Sequence, residues 1–114
     1  MEQFLYNLDF YIIPSKKTQF EENFTKILVA HNNHPQGLGH RLTFYRTFIG
    51  GDDVLSLTLP MESLGDMDLW MHTPEIVIEY FGQEEGIRIL NDYSAAMKIW
   101  KSKITKRFEF NTAI

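Results

Sequence analysis

Residues 4–13 (FLYNLDFYII) alternate with the period of a β-strand, and this alternation constrains the fold more than any other feature of the chain. Phe4, Tyr6, Leu8, Phe10 and Ile12 fall on one face, and Leu5, Asn7, Asp9, Tyr11 and Ile13 on the other. The first face is apolar throughout, so a second layer must cover it. The other is mixed: too polar for an ordinary core, too aromatic for plain solvent. Pro14 ends the strand because it has no N–H to continue a ladder.

A helix is expected next. Ser15 reads as its N-cap, Glu21 and Glu22 suit its early turns, and Phe20, Phe24, Ile27, Leu28 and His31 make one stripe at helical spacing. Asn32-Asn33-His34-Pro35, with Gly37 and Gly39 beyond, stops it. Residues 41–49 (RLTFYRTFI) and 54–59 (VLSLTL) read as strands joined by Gly50-Gly51-Asp52-Asp53, where glycine and aspartate tolerate a hairpin's positive φ. Leu42, Phe44, Phe48, Leu55, Leu57 and Leu59 supply the apolar face, and Thr43, Tyr45, Thr47, Ser56 and Thr58 the mixed one. After Leu64 the spacing turns helical but interrupted. Asp66 caps a short turn holding Leu69 and Trp70, Thr73-Pro74 opens a helix, and Gly82 and Gly86 interrupt it. Leu90, Tyr93, Met97, Trp100 and Ile104 predict a last helix, and residues 105–112 a last strand.

With 114 residues, 44% of them apolar and 23% charged, the chain suits one domain over 1–114. It has no cysteine, which removes disulfides, thiolate nucleophiles and zinc ribbons and fits a reducing cytoplasm. A net charge of −4 argues against a general nucleic-acid partner. The third strand, VLSLTL, also lacks the aromatics with which an RNA-recognition sheet stacks bases. No apolar run approaches the ~20 residues that span a bilayer, and the start, MEQF, lacks the basic region of a secretory signal. The expectation is a cytoplasmic protein with a small-molecule or protein partner and no membrane.

Strand–helix–strand–strand–helix–strand order with one apolar face per strand predicts an α+β, ferredoxin-like βαββαβ sandwich: an antiparallel four-stranded sheet with the helices on one side. The mixed first strand, the Gly-Gly-Asp hairpin, the strand running into Leu59-Pro60-Met61-Glu62-Ser63 with Trp70 soon after, and the closing helix and edge strand together resemble the dimeric α+β barrel superfamily, which includes antibiotic-biosynthesis monooxygenases and NIPSNAP-like proteins. The resemblance covers nearly the whole chain. It implies a homodimer whose mixed sheet faces meet around a semi-polar cavity, and a cofactor-independent monooxygenase or isomerase acting on an aromatic or polyketide-like compound. The alternative is a non-catalytic ligand-binding or dimerisation module.

Within that frame Asp9 is a candidate proton acceptor, with Asn7, Tyr11, Tyr45 and Arg107 as ligand contacts. The competing reading pairs Asp9 with Arg107 across neighbouring strands. Trp70 and His72 are the candidate ligand contact and catalytic group at the mouth. Some superfamily members that degrade haem use an asparagine, a tryptophan and a histidine, which Asn7, Trp70 and His72 match. Trp70 and His72 lie two residues apart and cannot share a helical face, so no cofactor is expected and haem is disfavoured. His31, His34 and His40 flank a loop without a carboxylate or thiol to complete a metal set, so no metal site is assigned. Lys98, Lys101, Lys103, Lys106 and Arg107 read as cations favoured at a helix C-terminus.

Overall fold

The computed structural model describes residues 3–35 and 41–111. Strand β1 (Phe4–Ile12) leads through a 3₁₀ turn (Pro14–Lys16) into helix α1 (Lys17–Asn32), followed by strands β2 (Thr43–Arg46) and β3 (Val54–Met61). A 3₁₀ segment (Leu64–His72), helices α2 (Thr73–Phe81) and α3 (Gln83–Ala95) and strand β4 (Met97–Lys106) complete the chain. The sheet is antiparallel throughout, in the order β2-β3-β1-β4. Two split βαβ crossovers give that order, and the arrangement is ferredoxin-like α+β. No helix among the described residues is long and apolar enough to cross a membrane.

Alternation sorts the side chains as the sequence requires. Phe10 and Ile12 of β1 and Leu57, Leu59 and Met61 of β3 are buried beneath the helices. Phe10 meets Phe24 edge-on at 5.1 Å and Tyr93 at 5.8 Å, and Phe20 stacks on Phe24 at 5.4 Å, so an aromatic cluster joins β1, α1 and α3. Pro60 sits in β3 opposite Leu5 but beyond the last pairing of β2, Thr43 with Thr58, so its missing N–H breaks no ladder. Arg41 Nη2 donates instead to the Pro60 carbonyl, at 2.5 Å. The hairpin is pinned at its base, where Arg46 donates from Nε and Nη2 to both Asp53 oxygens at 2.7 Å and from Nη1 to Glu21 at 2.7 Å.

Five expectations are corrected. The last helix ends at Ala95, and residues 97–104, expected to be helical, belong to β4. Over that stretch Ile99, Lys101, Lys103 and Thr105 alternate with Trp100, Ser102, Ile104 and Lys106, and the free edge of β1 takes them as a partner. Residues 107–111 accordingly form no strand, and Asp9 stands opposite Lys101 rather than Arg107. The basic run lies on this strand, not at a helix end. Ser15 lies inside the 3₁₀ turn and caps nothing, the position before α1 being Lys16.

Candidate functional site

Alternation along β1 separates the residues singled out by the sequence. Asn7, Asp9 and Tyr11 do share the sheet face away from the helices, and Tyr45 joins them from β2, 64% exposed. Asn7 Nδ2 donates to the Leu5 carbonyl at 3.0 Å and to Thr105 Oγ1 at 3.1 Å. Lys101 Nζ stands 5.1 Å from the Tyr11 ring centroid, a cation–π contact. The Asp9 carboxylate makes no hydrogen bond or ion pair among the described residues, although its backbone is laddered to β3 and β4. Arg107 lies just past β4, where its N–H donates to the Gln3 carbonyl at 2.8 Å.

Trp70 is elsewhere. It stacks on His31 of α1 at 4.0 Å and 14°, beneath the opposite side of the sheet. His72, two residues on, is exposed. Asn7, Trp70 and His72 therefore converge on no common point, and these residues do not fit a haem. Of the histidines grouped by sequence, His40 lies outside the described residues, and no group of three or more His, Cys, Asp or Glu suited to a metal occurs among those described.

The most apolar cleft among the described residues is on the helix side, and it is open to solvent. A cavity of about 270 Å³ opens between the sheet and the helices, floored by Tyr6, Leu8, Phe10, Leu57 and Trp100. Its walls are Phe24 and Ile27 of α1, Trp70, Thr73 and Pro74 at the entry to α2, and Leu90 and Tyr93 of α3. Among the described residues, no carboxylate, lysine, arginine or histidine lines it. The polar atoms on offer are phenol, indole and hydroxyl groups. Burial raises the pKa of Tyr93, and the neighbouring Tyr6 adds to the effect. Burial also raises that of Tyr6, against a smaller opposing effect of a hydrogen bond with Ser102. Both phenols stay protonated and able to donate.

Behind this wall lies a group that the sequence presented as part of a helical stripe and as one of three histidines flanking a loop. His31 is fully buried, with Nε2 2.9 Å from Thr73 Oγ1. Thr73 donates its own hydroxyl proton to the Trp70 carbonyl at 3.0 Å, so it accepts from His31, and the network assigns the ring proton to Nε2. His31 Nδ1 and Trp70 Nε1 are buried with no hydrogen-bond partner among the described residues. Burial, then the nearby His34, lowers the His31 pKa to about 4, so the ring is neutral at physiological pH. The signal in the sequence is a histidine on an apolar stripe. Its stacking partner lies in a separate segment that spacing cannot reach.

No protein-family model and no curated protein matches the chain. Solved structures do. A NIPSNAP family protein from Agrobacterium tumefaciens superposes with a TM-score of 0.65 at 14% identity, over 96% of this chain and 90% of its own. This chain shares the ferredoxin-like fold of that protein. A second NIPSNAP family protein from the same bacterium, of unknown function, gives 0.58 at 13% identity over 99% and 95% of the two chains. A dimeric ferredoxin-like protein from an uncultured marine organism gives 0.57 at 13% identity over 96% and 91%. At such identities the likeness carries the ferredoxin-like fold and none of the chemistry.

Proposed function

We propose that this protein is a homodimeric binder of small, uncharged aromatic or polyketide-like compounds, taken up in the helix-side cavity. The observation that carries the reading is the lining: aromatic and aliphatic side chains throughout, with the phenols of Tyr6 and Tyr93 as sparse hydrogen-bond donors. Binding sites are typically built this way, and about 270 Å³ suits a compound smaller than a drug. Two buried polar atoms in the adjoining wall, on His31 and Trp70, have no partner among the described residues and mark a region not arranged for stability alone. The homodimer is supported by the uncovered mixed sheet face and by the dimeric neighbour of the same fold. The cysteine-free sequence suits the cytoplasm, where we place it.

Between an oxygenase or isomerase and a plain binder, the lining favours the binder, because it holds no acid or base that titrates near neutrality. Asp9 would reach a ligand only on the other sheet face. Titration with 2-naphthol or a neutral naphthoquinone, read by Trp70 and Trp100 fluorescence, is expected to saturate. Leu90→Trp, which fills the cavity, should weaken binding at least tenfold with circular dichroism unchanged. Tyr93→Phe should weaken a carbonyl-bearing ligand roughly fivefold, the worth of one hydrogen bond of about 1 kcal/mol. Quenching that never saturates, or that Leu90→Trp leaves intact, sinks this assignment.

A further inference from the structure

We propose that the helix-side cleft selects its ligand by oxidation state, taking an aromatic ketone or quinone in preference to the alcohol or hydroquinone of the same ring. This rests on the binding reading above and names the ligand class within it.

Donors outnumber acceptors along the lining. Trp70 and Trp100 bring indole N–H groups, which donate and never accept. The Trp70 Nε1 is buried without a partner among the described residues, so its proton is uncommitted. The Tyr93 ring is held against Phe10 and Phe24, at 5.8 and 6.0 Å, and its hydroxyl makes no hydrogen bond among the described residues. Burial and then the neighbouring Tyr6 raise the Tyr93 pKa, which places the two phenols near each other. Ser102 stands diagonal to Tyr6 on the same face of the β1–β4 pair. Burial dominates the Tyr6 pKa, and a hydrogen bond with Ser102 works against it. Such a bond lowers a phenol's pKa when the phenol oxygen accepts, so Ser102 is the donor and the Tyr6 proton is left for the cleft.

The acceptors are spoken for. Thr73, the aliphatic hydroxyl of the lining, accepts from His31 Nε2 at 2.9 Å and gives its own proton to the Trp70 carbonyl at 3.0 Å. The Tyr93 carbonyl, in the last turn of α3, accepts from the Ala96 N–H at 3.2 Å. A ligand carbonyl brought into this lining finds donors and leaves nothing of its own unpaired. A ligand hydroxyl can accept one of the same bonds, but its proton meets no uncommitted strong acceptor. Leaving a buried donor short of an acceptor weakens binding on the order of tenfold. The same shortage bears on a hydroquinone at each of its hydroxyls, whereas a quinone is an acceptor at both ends.

Compounds of one skeleton test this: 1-tetralone carries a carbonyl, 1-tetralol a hydroxyl in its place, and tetralin neither. By calorimetric titration of the full chain, 1-tetralone should bind about tenfold more tightly than 1-tetralol. The infrared carbonyl band of bound 1-tetralone should lie below its position in hexane, because the phenols polarise it. Tyr6→Phe and Tyr93→Phe should each shrink the preference for 1-tetralone and move the band back toward the hexane value. Tetralin, which needs no donor, should bind both variants as it binds the wild type, and so reports that the cleft is still formed. Binding of 1-tetralol within twofold of 1-tetralone overturns the selection and leaves a plain apolar cleft. Failure of all the compounds to bind the wild type overturns the cleft reading together with it.

Discussion

Protonating His31 forces a charge into a fully buried ring whose Nδ1 has no partner among the described residues, between Trp70 and the body of α1. Its pKa in the folded protein, about 4, lies below the usual 6.5, so the unfolded chain binds the proton more tightly. Stability is unaffected above about pH 6.5, falls between about 6.5 and 4, and by pH 4 has lost roughly 3 kcal/mol. Melting temperatures of wild type and His31→Gln across that range should converge toward low pH, because the variant lacks this titration. A parallel pair of curves would refute it. Gly86 makes a second residue-scale case. A Cβ there would lie 2.8 Å from the Ile78 Cα, a contact with backbone that cannot turn aside. Gly86→Ala should cost about 1–3 kcal/mol in denaturant unfolding, where a glycine kept only as a helix breaker would give a gain. Sequence patterning places His31 on a core stripe, as found, but takes Gly86 for an interruption where α3 runs unbroken from Gln83 to Ala95; the break falls at Gly82. It cannot reveal the contacts, which join segments distant along the chain.

At the scale of elements, legibility follows the cleanness of the period. β1 is plain because ten residues alternate without exception and proline closes them. The β2–β3 hairpin is plain because Gly50 and Gly51 do adopt positive φ, at 81° and 75°. β4 is misleading because Met97, Trp100 and Ile104 continue the helical spacing of Leu90 and Tyr93, while the same residues alternate with lysines. What decides between them is the unpaired edge of β1, a tertiary demand absent from the local pattern. The candidate site divides along the same line. The mixed face is legible for β1, β2 and β3, whereas its fourth column comes from residues other than those the pattern suggests. The helix-side cavity escapes the sequence because it is formed between apolar stripes that each look like ordinary core. The hairpin yields its own prediction: its Arg46–Asp53 bond, at 2.7 Å, holds the Asp53 carboxyl below its ordinary pKa. That support is present above the carboxylate range and is lost as pH falls through it. Asp53→Ala should cost about 1 kcal/mol and speed amide exchange at Thr47 and Val54 while leaving exchange in α3 unaltered.

The whole molecule is a slab, with principal extents of 60 × 37 × 18 Å and a radius of gyration of 15.8 Å. A chain of this length packed on all sides would have a radius of ~13 Å. The excess comes from β4 and its arm: every β4 residue after Met97 is exposed, Trp100 at 57%. Lys101→Glu places a second acid beside Asp9 on the uncovered sheet face and removes the cation–ring contact with Tyr11. It should shift the protein toward the monomer in sedimentation at low salt, an effect that fades as salt screens the charges. An unchanged mass would count against a sheet-to-sheet dimer.

The 18 Å thickness has a further result. If two copies pair through the uncovered face as proposed, part of the folding energy is secured only when the second copy arrives, and stability becomes a property of dose as well as sequence. Diluting the protein should lower its melting point by several degrees per tenfold step, and a ligand or fusion that holds two copies together should abolish that slope. In a cell the same coupling would make a weakly expressed chain short-lived and an abundant one durable, without any change in its residues.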